Sequence, residues 1–255
     1  MNIKELYGYF DEKIPKTLSC EWDNDGLLCC PDPKREVGRV LICLDVTDAV
    51  VDKAEAEGFD VIISHHPLIF KGLKALSGET GADRRIMRLI KSGISLMSFH
   101  TRFDAVDGGV NDTLASIFEL ENVEKVDCDG SPLARKGNLK FEMTLEEFAA
   151  LAKEKLGAPH VSFGRCSGKV YSVGIIGGGG GDFTSDMARA GADTFLSGDI
   201  GYHTLTDADA MGINLVQAGH YYTEQPACES FARIVSGADE SIYTEIFESN
   251  TIFDI

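Results

Sequence analysis

The 255-residue sequence predicts an α/β fold made of two related α/β halves, each with a largely parallel sheet. Two observations carry this prediction. From Val40 onward, short apolar runs alternate with amphipathic stretches, the pattern of buried strands joined by crossover helices. The chain also repeats itself. GFDVIIS at 58–64 resembles GADTFLS at 191–197 at an offset of 133, and GISLMSF at 93–99 resembles GINLVQA at 212–218 at an offset of 119. The first offset also lays the strand at Val40 on the strand at Val173 and the helix 47–57 on 180–190. The 14-residue difference between the offsets fits a longer loop after His66 in the first half.

In chain order, Ile3, Leu6, Tyr7, Phe10 and Ile14 recur at helical spacing until Pro15 ends the pattern. A turn-rich stretch around WDNDGLL follows. Strands are expected at 40–46, 61–64, 94–99, 170–176, 194–197 and 214–218, where short apolar runs are bounded by polar or glycine residues. Helices are expected at 47–57, 82–92, 144–156, 183–190, 203–211 and 224–236, and Thr144 with Glu147 has the spacing of a capping box. Residues 122–142 are charged and turn-rich, with Gly130, Pro132 and Gly137, and read as a short linker. The halves are therefore placed at 1–128 and 129–255. The segment SIYTEIFES alternates like a strand with one wet face, and can interlock with the first half.

Composition narrows the function classes. Hydrophobic residues make up 44% and charged residues 25%, ordinary values for a globular protein, and no apolar run approaches the ~20 residues of a membrane helix. The start, MNIKELYGYFDEKIPK, has charges where a signal peptide needs its apolar stretch, so a cytoplasmic location is expected. Acids outnumber bases 41 to 24, a net charge of -17, which opposes nucleic acid and anionic membranes as partners. Seven cysteines without a CxxC pair read as reduced, inert thiols. No Gly-x-Ser-x-Gly elbow is present, and nucleophilic serine or cysteine catalysis has no support.

The metal-capable side chains gather behind predicted strands. VIISHHPLIF places His65 and His66 there, SLMSFHTRFD places His100 and Asp104, and LVQAGHYYTE places His220 and Glu224. Ligand sites in open α/β sheets form at the carboxyl ends of strands, where the following loops converge. Imidazoles and carboxylates suit divalent cations, and carboxylates can bridge two of them. Adjacent histidines on an extended segment point to opposite sides, so His65 and His66 suit two ions better than one, and Pro67 holds His66 extended. His100 is open between ligand, ligand-orienting donor and general acid/base. His160 reads as a solvated loop residue. Asp199 takes the place of His66 under the 133 offset, which suits either a position beside such a site or a helix cap. His203, in the same SGDIGYH stretch, is equally ambiguous. The run Gly177–Gly181 is either a tight turn or an anion cradle, and it lacks the Lys-Ser/Thr of a P-loop.

Taken in order, WDNDGLL, SHHPLIF, HTRFDAVDGGVND, SGDIGYHTLTDA and GINLVQAGHYYTE resemble the motifs of the GTP cyclohydrolase I type 2 homologue family, the Nif-three-like proteins. The resemblance covers nearly the whole chain. It implies two α/β halves with a dinuclear metal site in the cleft between them, and assembly into a ring-shaped homohexamer. By motif position the metal ligands fall on His65, His66, Asp104, His220 and Glu224, with His100 beside the site as the catalytic candidate. Two divalent ions per subunit are expected, of zinc, iron, manganese or cobalt type. The expected function is a metal-dependent hydrolase using activated water on a small-molecule substrate of nucleotide-like kind. With GTP, the water would add to C8 of the guanine ring. The competing expectation is a non-catalytic metal-binding protein whose ring assembly serves regulation or interaction.

Overall fold

Ile3, Leu6 and Phe10 form the buried stripe of the first helix, α1 (Ile3–Lys13), which a capping box between Asn2 and Glu5 closes at its N-terminus. The computed structural model describes residues 1–248, 250 and 251. From α1 the chain runs through β1 (Gly26–Cys29), β2 (Arg39–Cys43), α2 (Asp48–Glu57), β3 (Val61–Ser64), α3 (Gly81–Ser92), β4 (Ser95–Ser98) and the short α4 (Thr101–Ala105). Next come α5 (Val110–Ile117), β5 (Glu121–Cys128), β6 (Ser131–Thr144), α6 (Leu145–Leu156), β7 (Ser162–Gly164) and β8 (Lys169–Ile176). They are followed by α7 (Thr184–Arg189), β9 (Thr194–Ser197), α8 (Tyr202–Thr206), α9 (Ala208–Met211), β10 (Asn214–Gln217) and α10 (His220–Glu224). The last elements are α11 (Cys228–Ala238) and β11 (Tyr243–Phe247).

Two compact units result: Met1–Val106 with the segment that begins at Cys228, and Asp107–Ala227. The first unit holds a five-stranded sheet in the order β1-β4-β3-β2-β11. Strands β4, β3, β2 and β11 are parallel, and β1 closes one edge antiparallel. Strands β3 and β4 are buried along their whole length, as continuous apolar runs covered on both faces should be. One packed cluster joins Leu41, Ile62 and Leu96 of the strands to Val50, Val51 and Ala54 of α2 and Leu89 of α3. Elsewhere in the same unit, Phe103 stacks on Phe231 of α11 at 4.0 Å, and Phe10 stacks on Phe99 at 4.9 Å.

The second unit holds a six-stranded sheet in the order β5-β6-β8-β9-β10-β7. Strands β8, β9 and β10 are parallel, whereas β5, β6 and β7 join antiparallel. Its core draws Val173, Ile175, Leu196 and Val216 from the sheet, Leu145 and Phe148 from α6, and Leu114 from α5. Thr144 and Glu147 do form the expected capping box.

The internal repeat is visible in the strand registers. In the first unit Val40 pairs with Val61, and in the second Val173 pairs with Thr194, so both partners are displaced by 133. Val61 pairs with Ser95 and Thr194 with Asn214, which adds the second offset, 119. Both sheets therefore share a parallel three-strand core with an antiparallel strand on the same flank, β1 in one and β7 in the other.

Several expectations are corrected. Residues 122–142 are no linker, because β5 and β6 form a hairpin whose second strand pairs with β8. Asp129 and Gly130, both at positive φ, make its two-residue turn between the paired Cys128 and Ser131. That is the turn chemistry an Asp-Gly dipeptide favours. Most of β5 is exposed, which explains why the segment reads as charged. The first compact unit runs to Val106, and the stretch from Cys228 to Glu248 belongs to it as well. There β11 pairs parallel with β2, from Tyr243 on Arg39 to Phe247 on Cys43. Ser249 of the SIYTEIFES segment lies outside the described residues, as do 252–255 of the second expected half. The helix expected at 203–211 is interrupted at Asp207. The one expected at 224–236 is α10, a single 3-10 turn and α11. Among the described residues no helix is long and apolar enough to cross a membrane. Cys29, Cys43, Cys128 and Cys228 are buried. Burial pushes the Cys128 thiol up to about 12.

Candidate metal centre

In the first unit the site grows from the carboxyl ends of neighbouring parallel strands. Ser64, the last residue of β3, donates its hydroxyl to the His66 carbonyl at 2.8 Å, and its Oγ lies 2.8 Å from Ser98 Oγ at the end of β4. These contacts hold the two strand ends together, with His65 and His66 following one and His100 following the other. One ring nitrogen from each of His65, His66 and His100 lies within 4.8 Å of the others, so this group can hold a metal ion. Asp104, on α4, brings Oδ1 to 3.7 Å from His65 Nε2.

Each imidazole is aimed by an oxygen acceptor. His65 Nδ1–H donates to the Phe99 carbonyl at 2.9 Å. His66 Nδ1 lies 2.8 Å from Asp45 Oδ1, and His100 Nδ1 lies 3.0 Å from Asp23 Oδ1. A carbonyl or carboxylate oxygen only accepts, so the proton sits on Nδ1 and the lone pair of a neutral ring sits on Nε2. That is the arrangement of histidines that ligate metals.

Asp23 also receives the Thr101 N–H at 3.0 Å and the Thr101 hydroxyl at 2.6 Å. Burial works against its charge, yet these bonds and the His100 ring outweigh it and hold the Asp23 carboxyl at about 2. For His100, burial likewise disfavours the cation, but the bond to Asp23 and the charges of Asp104 and Asp23 raise its pKa. The fully buried Arg102 anchors α4 beneath the site. Its Nε donates to Asp25 at 3.1 Å, and its Nη1 donates to Asp11 at 2.6 Å and to the Ile14 carbonyl at 2.9 Å.

In the second unit β10 leads into α10, which carries His220 and Glu224 one turn apart. His220 Nδ1 lies 2.7 Å from Asp199 Oδ2, and its Nε2 lies 3.0 Å from Glu224 Oε2. With Nδ1 donating to Asp199, the second contact requires a proton or a cation between nitrogen and carboxylate. Gly178 provides the space for this pair. A Cβ there would come within 2.8 Å of Glu224 Cδ and 2.9 Å of His220 Nε2, and its φ of +61° favours glycine in any case. The donor chemistry, the Nδ1 partners and this cradle all fit a divalent cation.

The glycine run resolves in favour of the turn. The N–H groups of Gly177, Gly178, Gly180 and Gly181 donate to Asn111, Thr223, Ser197 and the Asp199 carbonyl within the unit. Asp199 is no helix cap, since Gly201 is the N-cap of α8 and no side chain bonds there, and Asp199 lies against His220 Nδ1 instead. His160 and His203 are exposed and belong to neither ligand group.

The Duf34/NIF3 (NGG1p interacting factor 3) family profile matches residues 1–253. The chain belongs to the Duf34/NIF3 family. A Clostridium perfringens relative called GTP cyclohydrolase 1 type 2 homolog is 32% identical over 231 residues, covering 89% of this chain and 88% of its own. A Nostoc relative of the same name is 34% identical over 235 residues, 90% and 89% of the two chains. The crystal structure of Staphylococcus aureus protein SA1388 matches with a TM-score of 0.90 at 30% identity, over 100% of this chain and 99% of that one. In this NIF3-family chain, Asp23 and Asp45 are hydrogen-bond partners of candidate-site histidines that sequence reasoning overlooked. Each lies far along the chain from the histidine it aims, 77 residues for Asp23 and 21 for Asp45. The WDNDGLL motif marked Asp23, but nothing in the sequence linked it to His100.

Proposed function

We propose that this protein is a metal-dependent hydrolase. In this reading two divalent cations of zinc, iron, manganese or cobalt type are held by His65, His66, Asp104, His220 and Glu224, and the substrate is small and nucleotide-like. The observation that supports it is the shared state of His65, His66 and His220, each with Nδ1 given to an oxygen acceptor, and with Nε2 of His65 and His220 beside a carboxylate. When bound, such ions supply Lewis acidity that brings the pKa of a water down to about 7.

The chain's own residues do the rest. Asp45 and Asp199 hold His66 and His220 in their tautomers, Asp104 and Glu224 would offer carboxylate oxygens to bound cations, and His100, oriented by Asp23, would move a proton at Nε2. The names of the relatives agree with a ring-opening hydrolysis of GTP as the first activity to assay. The test is metal content and turnover of GTP, other nucleotides, esters and amides by the wild type and by His65→Ala and Glu224→Ala, with folding checked by circular dichroism. Loss of both metal and turnover is expected in each variant. Full activity in both variants would overturn the reading.

A further inference from the structure

Two large aromatic side chains stand exposed at the rim of the histidine group. Trp22 is 58% exposed and Phe70 44% exposed, and their rings meet edge-on at 6.0 Å. Both also meet His100 edge-on, Trp22 at 6.1 Å and Phe70 at 6.2 Å. Neither sits on a loosely held segment. Asp23, next to Trp22, is fastened to His100 and Thr101, and the Asn24 side-chain amide donates to the carbonyl of Ile69, next to Phe70. The chain thus ties two loops together so that two aromatic rings are presented beside ligand-capable nitrogens. Large apolar surface left in water is unfavourable, and a fixed pair of such rings is the informative kind of exposure.

We propose that Trp22 and Phe70 form an aromatic wall that receives a planar heteroaromatic ring of the nucleobase type, with the polar remainder of the ligand directed to His65, His66 and His100. The wall rests on the reading above for where the substrate sits, and it adds a specificity element to it. Every base has a π-face, so the wall selects for a ring without choosing among bases.

Trp22 is the single tryptophan of the chain, so intrinsic fluorescence reports on this position alone. The probes are guanosine, cytidine, GTP and inorganic tripolyphosphate, titrated into the full-length protein with excitation at the red edge of tryptophan absorption. Saturable changes are expected with the nucleosides and with GTP, and none with tripolyphosphate. Phe70→Ala should weaken nucleoside binding by about 5- to 100-fold, the range of one lost stacking contact, and Phe70→Tyr should restore it. The wall is overturned if no nucleoside perturbs Trp22, or if tripolyphosphate alone produces the whole change. It is equally overturned if the signal follows protein concentration, which would put a second copy of the chain on these rings. A protein that shows no turnover but still binds guanosine at Trp22 would refute the hydrolase and keep the wall. One that hydrolyses a substrate without any nucleoside response would do the reverse.

Discussion

His66 Nδ1 lies 2.8 Å from Asp45 Oδ1, so an imidazole just past β3 is aimed by a carboxylate just past the neighbouring strand β2. The two strands are parallel, and Cys43 stands opposite Ser64 at their carboxyl ends. Parallel pairing therefore delivers both side chains to one edge of the sheet, where a ligand site forms.

Removing the aiming carboxylate should weaken metal binding without unfolding the chain. Asp45→Ala is expected to lower affinity for zinc or manganese by roughly 10- to 100-fold, the usual effect of losing a ligand's hydrogen-bond partner. Asp45→Asn, which keeps an acceptor oxygen, should lose less. Competition against a chromophoric chelator measures both, and an unchanged affinity in the alanine variant would remove Asp45 from the site.

Gly178 and Gly179 offer a matched pair. A Cβ at Gly178 would drive into Glu224 and His220 from a left-handed backbone, while one at Gly179 would meet nothing within 4 Å. Gly178→Ala should therefore lower metal content sharply and cost about 1–3 kcal/mol of stability. Gly179→Ala should leave both near wild type. Elemental analysis and urea unfolding of the two variants decide the matter, and equal behaviour would show that Gly178 is not the cradle.

Acid should act on the protein partly through Asp23. Its carboxyl sits at about 2 in the folded chain against an ordinary 3.8. A depressed carboxylate adds stability that is complete above its unfolded value and disappears as pH falls through its folded one. The wild type should accordingly lose roughly 2 kcal/mol between pH 4 and pH 2 that an Asp23→Asn variant does not lose. Urea midpoints at pH 5, 4, 3 and 2 test it, and parallel pH profiles for the two proteins would contradict it.

Much of the architecture was legible because it is local. All six expected strands are present, since each is a short apolar run that reads as a strand without knowledge of its partners. The repeat was legible too, because the buried segments GFDVIIS and GADTFLS serve the same place in two sheets that share a parallel three-strand core. The β5–β6 hairpin escaped notice because an exposed edge strand has little apolar content, although Asp129-Gly130 advertised its turn. The short β1 and β7 escaped because each is defined by the strand it flanks, β4 or β10.

The candidate site divides in the same way. By itself the sequence determined that His65, His66, His100 and His220 follow buried strands, and that Asp104 and Glu224 lie four residues past two of them. Periodicity and spacing suffice for that, because strand ends are local properties. Only the tertiary structure decided which oxygens aim the rings: Phe99 for His65, Asp45 for His66, Asp23 for His100 and Asp199 for His220. It alone set Trp22 and Phe70 edge-on to His100, and Gly178 against Glu224. These pairs span tens of residues, and parallel strand order and loop anchoring bring them into contact. Neither leaves a mark in the spacing of residues along the chain.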